Sequence, residues 1–233
     1  MKPDHMLDHA LASAMRELTT AFARHVDVEE TLARITAAAV DLVDGVDYAD
    51  IMLVDSGEFR SIAPTASLVT DLDHTQMQHR QGPCLEAAVV DSVVRSPDLR
   101  REKRWPAFAA AAVEAGVLSA LSYQLYTHQS GAGALNLLSK QPDAFDVNAE
   151  TALAMLATHA AITLIAADKE KQFQSALASR DVIGQAKGIV MERFKVDAGR
   201  AFALIVKLSQ DTNTPVRVIA HQLVDSIDGD FGR

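Results

Sequence analysis

Apolar positions in residues 5–24 return at three- and four-residue intervals (Leu7, Leu11, Ala14, Leu18 and Phe22) and predict an amphipathic helix. A second helix is expected from Asp27, with Glu30 three positions on as in a capping box, along Val28, Leu32, Ile35 and Val40 to about Val43. Gly45 stops it. The period then changes from helical to alternating. Residues 48–54 and 59–63 flank Ser56-Gly57 and predict a hairpin. Residues 66–80 read as a helix that is polar on one side, GPCLEAAVV as a turn leading into a short helix, 92–94 as a brief strand, and 104–116 as a helix ended by Gly116. Residues 118–127 and 132–139, separated by the turn-rich HQSGAG, predict a second hairpin. Helices at both ends of antiparallel hairpins describe an α+β domain.

After Phe145 one helix is expected through Phe194, free of proline, with only Gly184 and Gly188 as weak points. At 1.5 Å per residue it would be about 75 Å long, too long to fold wholly onto a small core, so it reads as a connector. Leu153, Leu156, Ala160, Leu164 and Ala167 form a seam along it that either a second subunit or the same chain would cover. Three further stripes then follow: Ile183, Ala186, Val190 and Phe194; Ala201, Ile205 and Leu208; Val216, Ile219, Leu223 and Ile227. Three such helices close a miniature core. Asp197 is the expected cap of the second helix, and Thr214 before Pro215 the expected cap of the third.

Composition narrows the function. The 233 residues are 48% hydrophobic, enough for one ordinary core plus a small helical module. A single cysteine excludes an intrachain disulfide and suits a reducing compartment. Charges at Lys2, Asp4, Asp8, Arg16 and Glu17 interrupt the start of the chain, so no secretory leader is read there. Residues 152–167 lack Asp, Glu, Lys and Arg, yet the run is short for a membrane span, rich in alanine and interrupted by His159, so a buried or subunit-facing helix is expected and a cytoplasmic location with it. The net charge of −9 argues against nucleic acid as a partner until its distribution is considered. Residues 1–175 hold 14 Lys and Arg against 24 Asp and Glu, whereas residues 176–227 hold 7 against 5. An acidic body therefore carries a mildly basic module.

That module, RDVIGQAKGIVMERFKVDAGRAFALIVKLSQDTNTPVRVIAHQLVDSI at 180–227, resembles the ANTAR domain of bacterial antitermination regulators. The resemblance rests on IGQAKGIVM, a break after Phe194, AFALIVKLSQDTN and a final VIAHQLV. It implies a three-helix module that acts as a dimer and recognises paired RNA stem-loops. RNA loops present phosphates, 2′-hydroxyls and splayed bases, which call for cations, amides, hydroxyls and close backbone approach. The candidate contacts are Arg180, Lys187, Arg193 and Arg217 as cations, Gln185, Ser209 and Asn213 as hydrogen-bonding groups, and Gly188 for close approach. Gly188 and Ser209 read equally well as helix-packing residues, Arg193 as a solvated side chain, and His221 as structural.

Residues 28–168 resemble a GAF domain, through QHRQGPCLEA at 78–87, SPDLRREKRWPAFAAAAVEAGVLSAL at 96–121 and GALNLLSKQPDAFD at 133–146. This implies a central antiparallel sheet with flanking helices and a pocket for a small molecule, without naming that ligand, so the cofactor stays unknown and RNA binding requires none. Cys84, after Gly82-Pro83, is the candidate sensor-pocket residue, with a small buried core residue as its plainer role. One cysteine is too few for the turnover of a GAF-related methionine sulfoxide reductase. The five-residue separation of His74 and His79 does not suit a helical zinc pair, and Asp71 with Asp73 reads as a polar turn or helix cap. Arg100, Arg101, Lys103 and Arg104, interrupted by Glu102, read as a solvated helix start and Trp105 as a packing anchor. No phosphate-binding Gly-Lys loop, nucleophile elbow or two-histidine metal motif is present, so no catalytic residues and no metal are assigned.

The expected organisation is an N-terminal amphipathic helix at 1–27, a GAF sensor at 28–168, a helical connector at 169–179 and an all-α ANTAR module at 180–229. The expected function is signal-responsive transcription antitermination by a homodimer that binds two RNA stem-loops, with no membrane partner. A DNA-binding regulator is the alternative, since the connection at 211–214 superficially resembles a helix-turn-helix; the third helix, however, offers only Arg217, His221 and Gln222 to read bases.

Overall fold

The computed structural model describes residues 27–55, 58–89, 91–127 and 131–228. The amphipathic helix expected at 5–24 lies outside them. The chain divides into two compact units, Met1–Ala167 and Asp168–Arg233.

The first unit is built on five strands: β1 (Tyr48–Asp55), β2 (Glu58–Ile62), β3 (Val93–Ser96), β4 (Ser119–Thr127) and β5 (Gly131–Ser139). They form one antiparallel sheet in the order β2-β1-β5-β4-β3. Its helices are α1 (Val28–Leu42), α2 (Ser67–His79), α3 (Pro83–Val89), α4 (Pro106–Glu114) and the first part of α5 (Val147–Phe194).

Alternation along the strands sorts residues onto two faces. Ala49, Ile51, Leu121, Tyr123, Leu135 and Leu137 face α1 and α5, where Leu32, Ile35, Ala39, Leu153, Leu156 and Ala160 complete one core. Met52, Val94, Ala120, Ala134 and Leu138 face α2, α3 and α4, packing with Val69, Leu72, Cys84, Ala87, Trp105, Phe108 and Ala112.

Local chemistry sets the ends of the elements. Asp27 caps α1 by accepting the Glu29 N–H at 3.2 Å. Gly45 turns the chain with φ +88°, and a Cβ there would meet the Ala144 carbonyl oxygen at 2.5 Å, so only glycine fits. The helix expected at 104–116 is shorter: a 3-10 turn covers Leu99–Arg101, and α4 starts at Pro106, because proline suits a first helical turn and drives the preceding Trp105 out of the helical region.

For the seam of the long helix the structure selects the intrachain alternative. Leu153, Leu156, Ala160 and Leu164 are buried within the first unit and are not left for a second subunit. The apolar stretch of α5 is long and hydrophobic enough for a membrane span by length and composition, but 44% of that window is buried inside the protein.

The second unit contains the rest of α5, α6 (Ala198–Asp211) and α7 (Val216–Asp228). Ala186, Val190, Ala201, Ile205, Ile219 and Ala220 are its buried core, ringed by Val182, Ile183, Met191, Val196, Val216, Leu223 and Val224. The expected stripe members Phe194 and Leu208 are exposed (62% and 44%), because they lie near helix ends, beyond the level where Ala186, Ala201 and Ala220 close the core.

Candidate nucleic-acid interface and sensor core

In the second unit, α5 ends at Phe194 because Lys195 takes a left-handed φ of +52°, and Asp197 then caps α6 by accepting the Arg200 N–H at 2.8 Å. The α6–α7 connection turns on Asn213, φ +50°. The Ser209 hydroxyl donates to the Thr214 carbonyl at 2.6 Å across that turn, which gives Ser209 a defined structural role. The Thr214 hydroxyl donates back to the Thr212 carbonyl at 3.2 Å instead of capping α7, where the Val218 and Ile219 N–H groups bond the Pro215 carbonyl at 2.8 and 3.2 Å.

The remaining candidates divide by helix geometry. Arg180 and Lys187 are seven residues apart, two turns, and share one flank of α5; Arg180 is exposed and Lys187 partly so. Gln185, Gly188 and Arg193 border a different feature, an open groove of about 910 Å³ whose other lining residues are Ile189, Glu192, Lys195 and Val224. The groove is therefore bounded by α5, the α5–α6 turn and α7. A Cβ on Gly188 or Gly184 would meet nothing within 4 Å, so within this unit Gly188 does not serve helix packing, and the helix backbone is approachable there. Lys195 pairs with Glu192, leaving the Arg193 side of the groove basic. Arg217 is exposed at the start of α7. Lys195, Ile189 and Val224 were not legible as lining residues from sequence; the signal that could have marked Lys195 is its adjacency to the helix stop.

The first unit holds a polar row that hydrophobic patterning passed over. Asp50 on β1 pairs in register with Asn136 on β5, which pairs with Ser122 on β4, and these side chains are buried in the sheet face that meets α2 and α3. The Ser122 hydroxyl donates to Asn136 Oδ1 at 2.8 Å, and the Ser61 hydroxyl to Asp50 Oδ2 at 3.3 Å. From α2, Asp73 enters the same layer with Gln76, whose amide donates to Asp73 Oδ1 at 3.2 Å and accepts the Cys84 N–H at 3.0 Å. Asp73 thus lies mid-helix and buried, not at a turn or cap as the sequence had it. Among the described residues, no N–H or hydroxyl group donates to Asp50 Oδ1 or Asp73 Oδ2, and Asn136 Nδ2 is without an acceptor.

Burial pushes the Asp50 carboxyl well above the carboxylate range, and the neighbouring Asp73 adds to the effect; burial also raises Asp73. Cys84 has no exposure and sits in the core, so it is not a pocket rim; burial, followed by the two carboxyls, pushes its thiol well above the ordinary range. That environment disfavours the thiolate needed for redox or covalent chemistry.

Other candidates resolve into structure. His74 contacts the Thr70 carbonyl at 2.8 Å through Nδ1 and sets its ring edge-on to Phe59. Arg100 and Arg101 pair with Asp98, and Arg104 with Glu102 and Glu86 while stacking 4.1 Å from the Trp105 ring, so the arginines of this run are tied to neighbouring carboxylates. Buried Trp105 donates its indole N–H to Glu86 at 2.9 Å.

The GAF domain model matches residues 25–164, more than half of the chain, and the ANTAR domain model matches residues 171–224. The chain is a GAF domain protein that carries an ANTAR domain. GAF domains are sensor modules, ANTAR domains are RNA-binding antitermination modules, and both are regulatory.

Solved structures similar to this GAF–ANTAR protein agree on the sensor fold. The GAF domain of an Acinetobacter phosphoenolpyruvate-protein phosphotransferase is 17% identical, with a TM-score of 0.54 over 70% of this chain and 97% of its own. The free methionine-R-sulfoxide reductase of Neisseria meningitidis, in complex with its substrate, is 16% identical, with a TM-score of 0.53 over 73% of this chain and 95% of its own. An N-acylhomoserine lactone dependent LuxR family transcription factor of Burkholderia cenocepacia is 16% identical, with a TM-score of 0.52 over 67% of this chain and 94% of its own. Such identities carry the fold and no chemistry. None of the curated proteins compared matches the chain.

Proposed function

We propose that this GAF–ANTAR protein is a non-enzymatic, cytoplasmic antitermination regulator in which a signal at the GAF unit controls paired ANTAR modules that bind two RNA stem-loops. The observation that supports this most is the second unit itself, a closed three-helix core that leaves Arg180, Lys187 and the Gln185–Gly188–Arg193 groove open to a partner. Arg180 and Lys187 supply phosphate contacts from one flank, and Gln185 and Arg193 reach bases or sugars from the groove where Gly188 admits close approach. Asn213 and Arg217 extend the surface at the α6–α7 turn, and Ser209 holds that turn in shape.

Pairing of two chains runs along α5. With Leu153, Leu156, Ala160 and Leu164 committed to the intrachain core, Met155, Ile162, Ile165, Phe173 and Leu177 are the exposed large apolar side chains of α5 between its two ends, where Val147 and Phe194 are exposed as well. Their separations of seven, three, eight and four residues keep them near one line of a helix, which a second copy of α5 would cover. A signal acts only as far as it favours one arrangement of this helix over another.

The test is a gel-shift titration of the full chain with a two-hairpin RNA, its scrambled counterpart and duplex DNA. Preference for the paired hairpins is expected. Lys187→Ala and Arg180→Ala should each weaken binding and lower the slope of log affinity against log salt by about one phosphate contact. Equal affinity for scrambled RNA would overturn the reading, and preference for duplex DNA would replace it.

A further inference from the structure

The two carboxyls of the sensor core face each other from different elements. Asp50 is fixed by the register of β1 on β5, while Asp73 is carried by α2, which is joined to α3 through Arg80 with φ +52° and Gly82 with φ +146°. Asp50 has no exposure and Asp73 almost none, each keeps one buried carboxyl oxygen without a donor, and the two carboxyls lie together in one layer, near enough to act on each other. Two carboxyl groups lie so only when one retains its proton, because two adjacent carboxylates in a low-dielectric interface repel.

The surroundings do not supply a counter-charge. Asp50 is acted on by Asp73, Asn136 and Ser61, and Asp73 by Asp50, Ser61, Gln76 and His74. Of these, His74 on the exposed side of α2 is the one basic group, and its Nδ1 is engaged with Thr70. Cys84 of α3 also faces the pair, as a thiol held neutral by burial and by the two carboxyls. Asn136, almost fully buried, turns its unpartnered amide N–H₂ toward this cluster, since its oxygen is already occupied by Ser122. A retained proton supplies the donor that Asp50 Oδ1 and Asp73 Oδ2 otherwise lack.

We propose that Asp50 and Asp73 form a proton-operated latch between the central sheet and α2: with one proton shared the helix is held on the sheet, and loss of that proton expels Asp73 and releases α2. The proposal rests on the sensor reading of the GAF unit and gives that unit a chemical input, proton activity, that requires no organic ligand. The step is a simple ionisation, in which a carboxylic O–H between the two oxygens breaks and its proton passes to water. Gln76 couples the latch to α3, since it bonds Asp73 with its amide N–H and the Cys84 N–H with its oxygen.

The sign follows from proton binding. Folding raises the affinity of the pair for its proton, so the native state holds that proton at pH values where the unfolded chain has lost it. Stability contributed by the pair is present below the ordinary carboxylate range and is lost as pH rises toward the native titration. Over that window the folding constant falls by up to about tenfold per pH unit for one proton.

The latch is tested in the full chain by amide hydrogen exchange of residues 67–79 as pH is raised, comparing wild type with Asp50→Asn at each pH so that the intrinsic exchange rate cancels. The carboxamide introduced by Asp50→Asn donates an N–H to Asp73 at every pH, so the variant should keep α2 protected while wild type loses protection progressively. Infrared spectra of wild type should also show the carbonyl stretch of a protonated carboxylic acid at pH values where solvent-exposed carboxyls are ionised, a reading that needs no variant, and folded Asp50→Asn and Asp73→Asn should both lack it. Parallel pH profiles for wild type and Asp50→Asn, or no protonated-acid band, would overturn the latch. RNA affinity measured separately at one fixed pH reports on the ANTAR reading and would not change with either outcome.

Discussion

Replacing Ile205 with alanine isolates the second unit from the first. Ile205 is buried at 1% exposure and is one of the few large side chains in a core otherwise closed by Ala186, Ala201 and Ala220. Truncating a buried isoleucine costs about 2–5 kcal/mol, at the upper end where neighbours cannot collapse into the space. Alanine neighbours have no rotamers with which to collapse. A compact unit of this size has on the order of 3–10 kcal/mol of stability in total, so the loss should take most of it. The assay exploits a feature of the chain: its one tryptophan, Trp105, is packed in the core of the first unit. Tryptophan fluorescence in urea therefore reports the GAF unit, and far-UV circular dichroism reports both. For Ile205→Ala the fluorescence midpoint should stay within error of wild type, while the dichroism gains an early transition and affinity for hairpin RNA falls with it. A fluorescence midpoint that moves by the same amount would mean that the two units unfold as one, and the reasoning would fail.

Further outcomes are expected elsewhere. Gly45→Ala should destabilise the GAF unit by about 1–3 kcal/mol, since φ +88° and the Ala144 carbonyl at 2.5 Å both oppose a Cβ; the fluorescence midpoint in urea measures it. Ser209→Ala should lower the stability of the ANTAR unit by about 1 kcal/mol through loss of its bond to the Thr214 carbonyl, and should weaken RNA binding without altering its salt dependence. Hydrogen bonds from Arg104 hold the Glu102 carboxyl down at about 2, so its contribution is complete above the ordinary carboxylate range and is lost as pH falls toward 2. Glu102→Gln should therefore lower the melting temperature at pH 7, and the difference from wild type should shrink steadily as pH falls from 4 toward 2. On the proposed pairing along α5, wild type should sediment as a dimer and Ile162→Asp as a monomer with little change in the fluorescence midpoint, because Ile162 is half exposed in the single chain.

Sequence by itself determined the elements and their division into two modules. The change of period near Tyr48, the glycine stop at Gly45, the break after Phe194 and the turn before Pro215 are local features, set by backbone sterics and side-chain periodicity within a few residues. Even the cap at Asp197 was readable, because an N-cap bonds its own helix. What lay beyond reach were partnerships between distant segments. The stripe on Leu153, Leu156 and Ala160 predicted a covered face without saying whether this chain or another covers it, and the tertiary fold assigned it to the sheet. Asp50 carried no sequence signal that singled it out and Asp73 read as part of a polar turn or helix cap, although the alternation along residues 48–54 places Asp50 on the same face as Met52. Only the strand register and the docking of α2 bring Asp50, Asn136 and Asp73 into one dry layer, because alternation specifies which face a residue occupies and tertiary packing alone specifies what stands opposite.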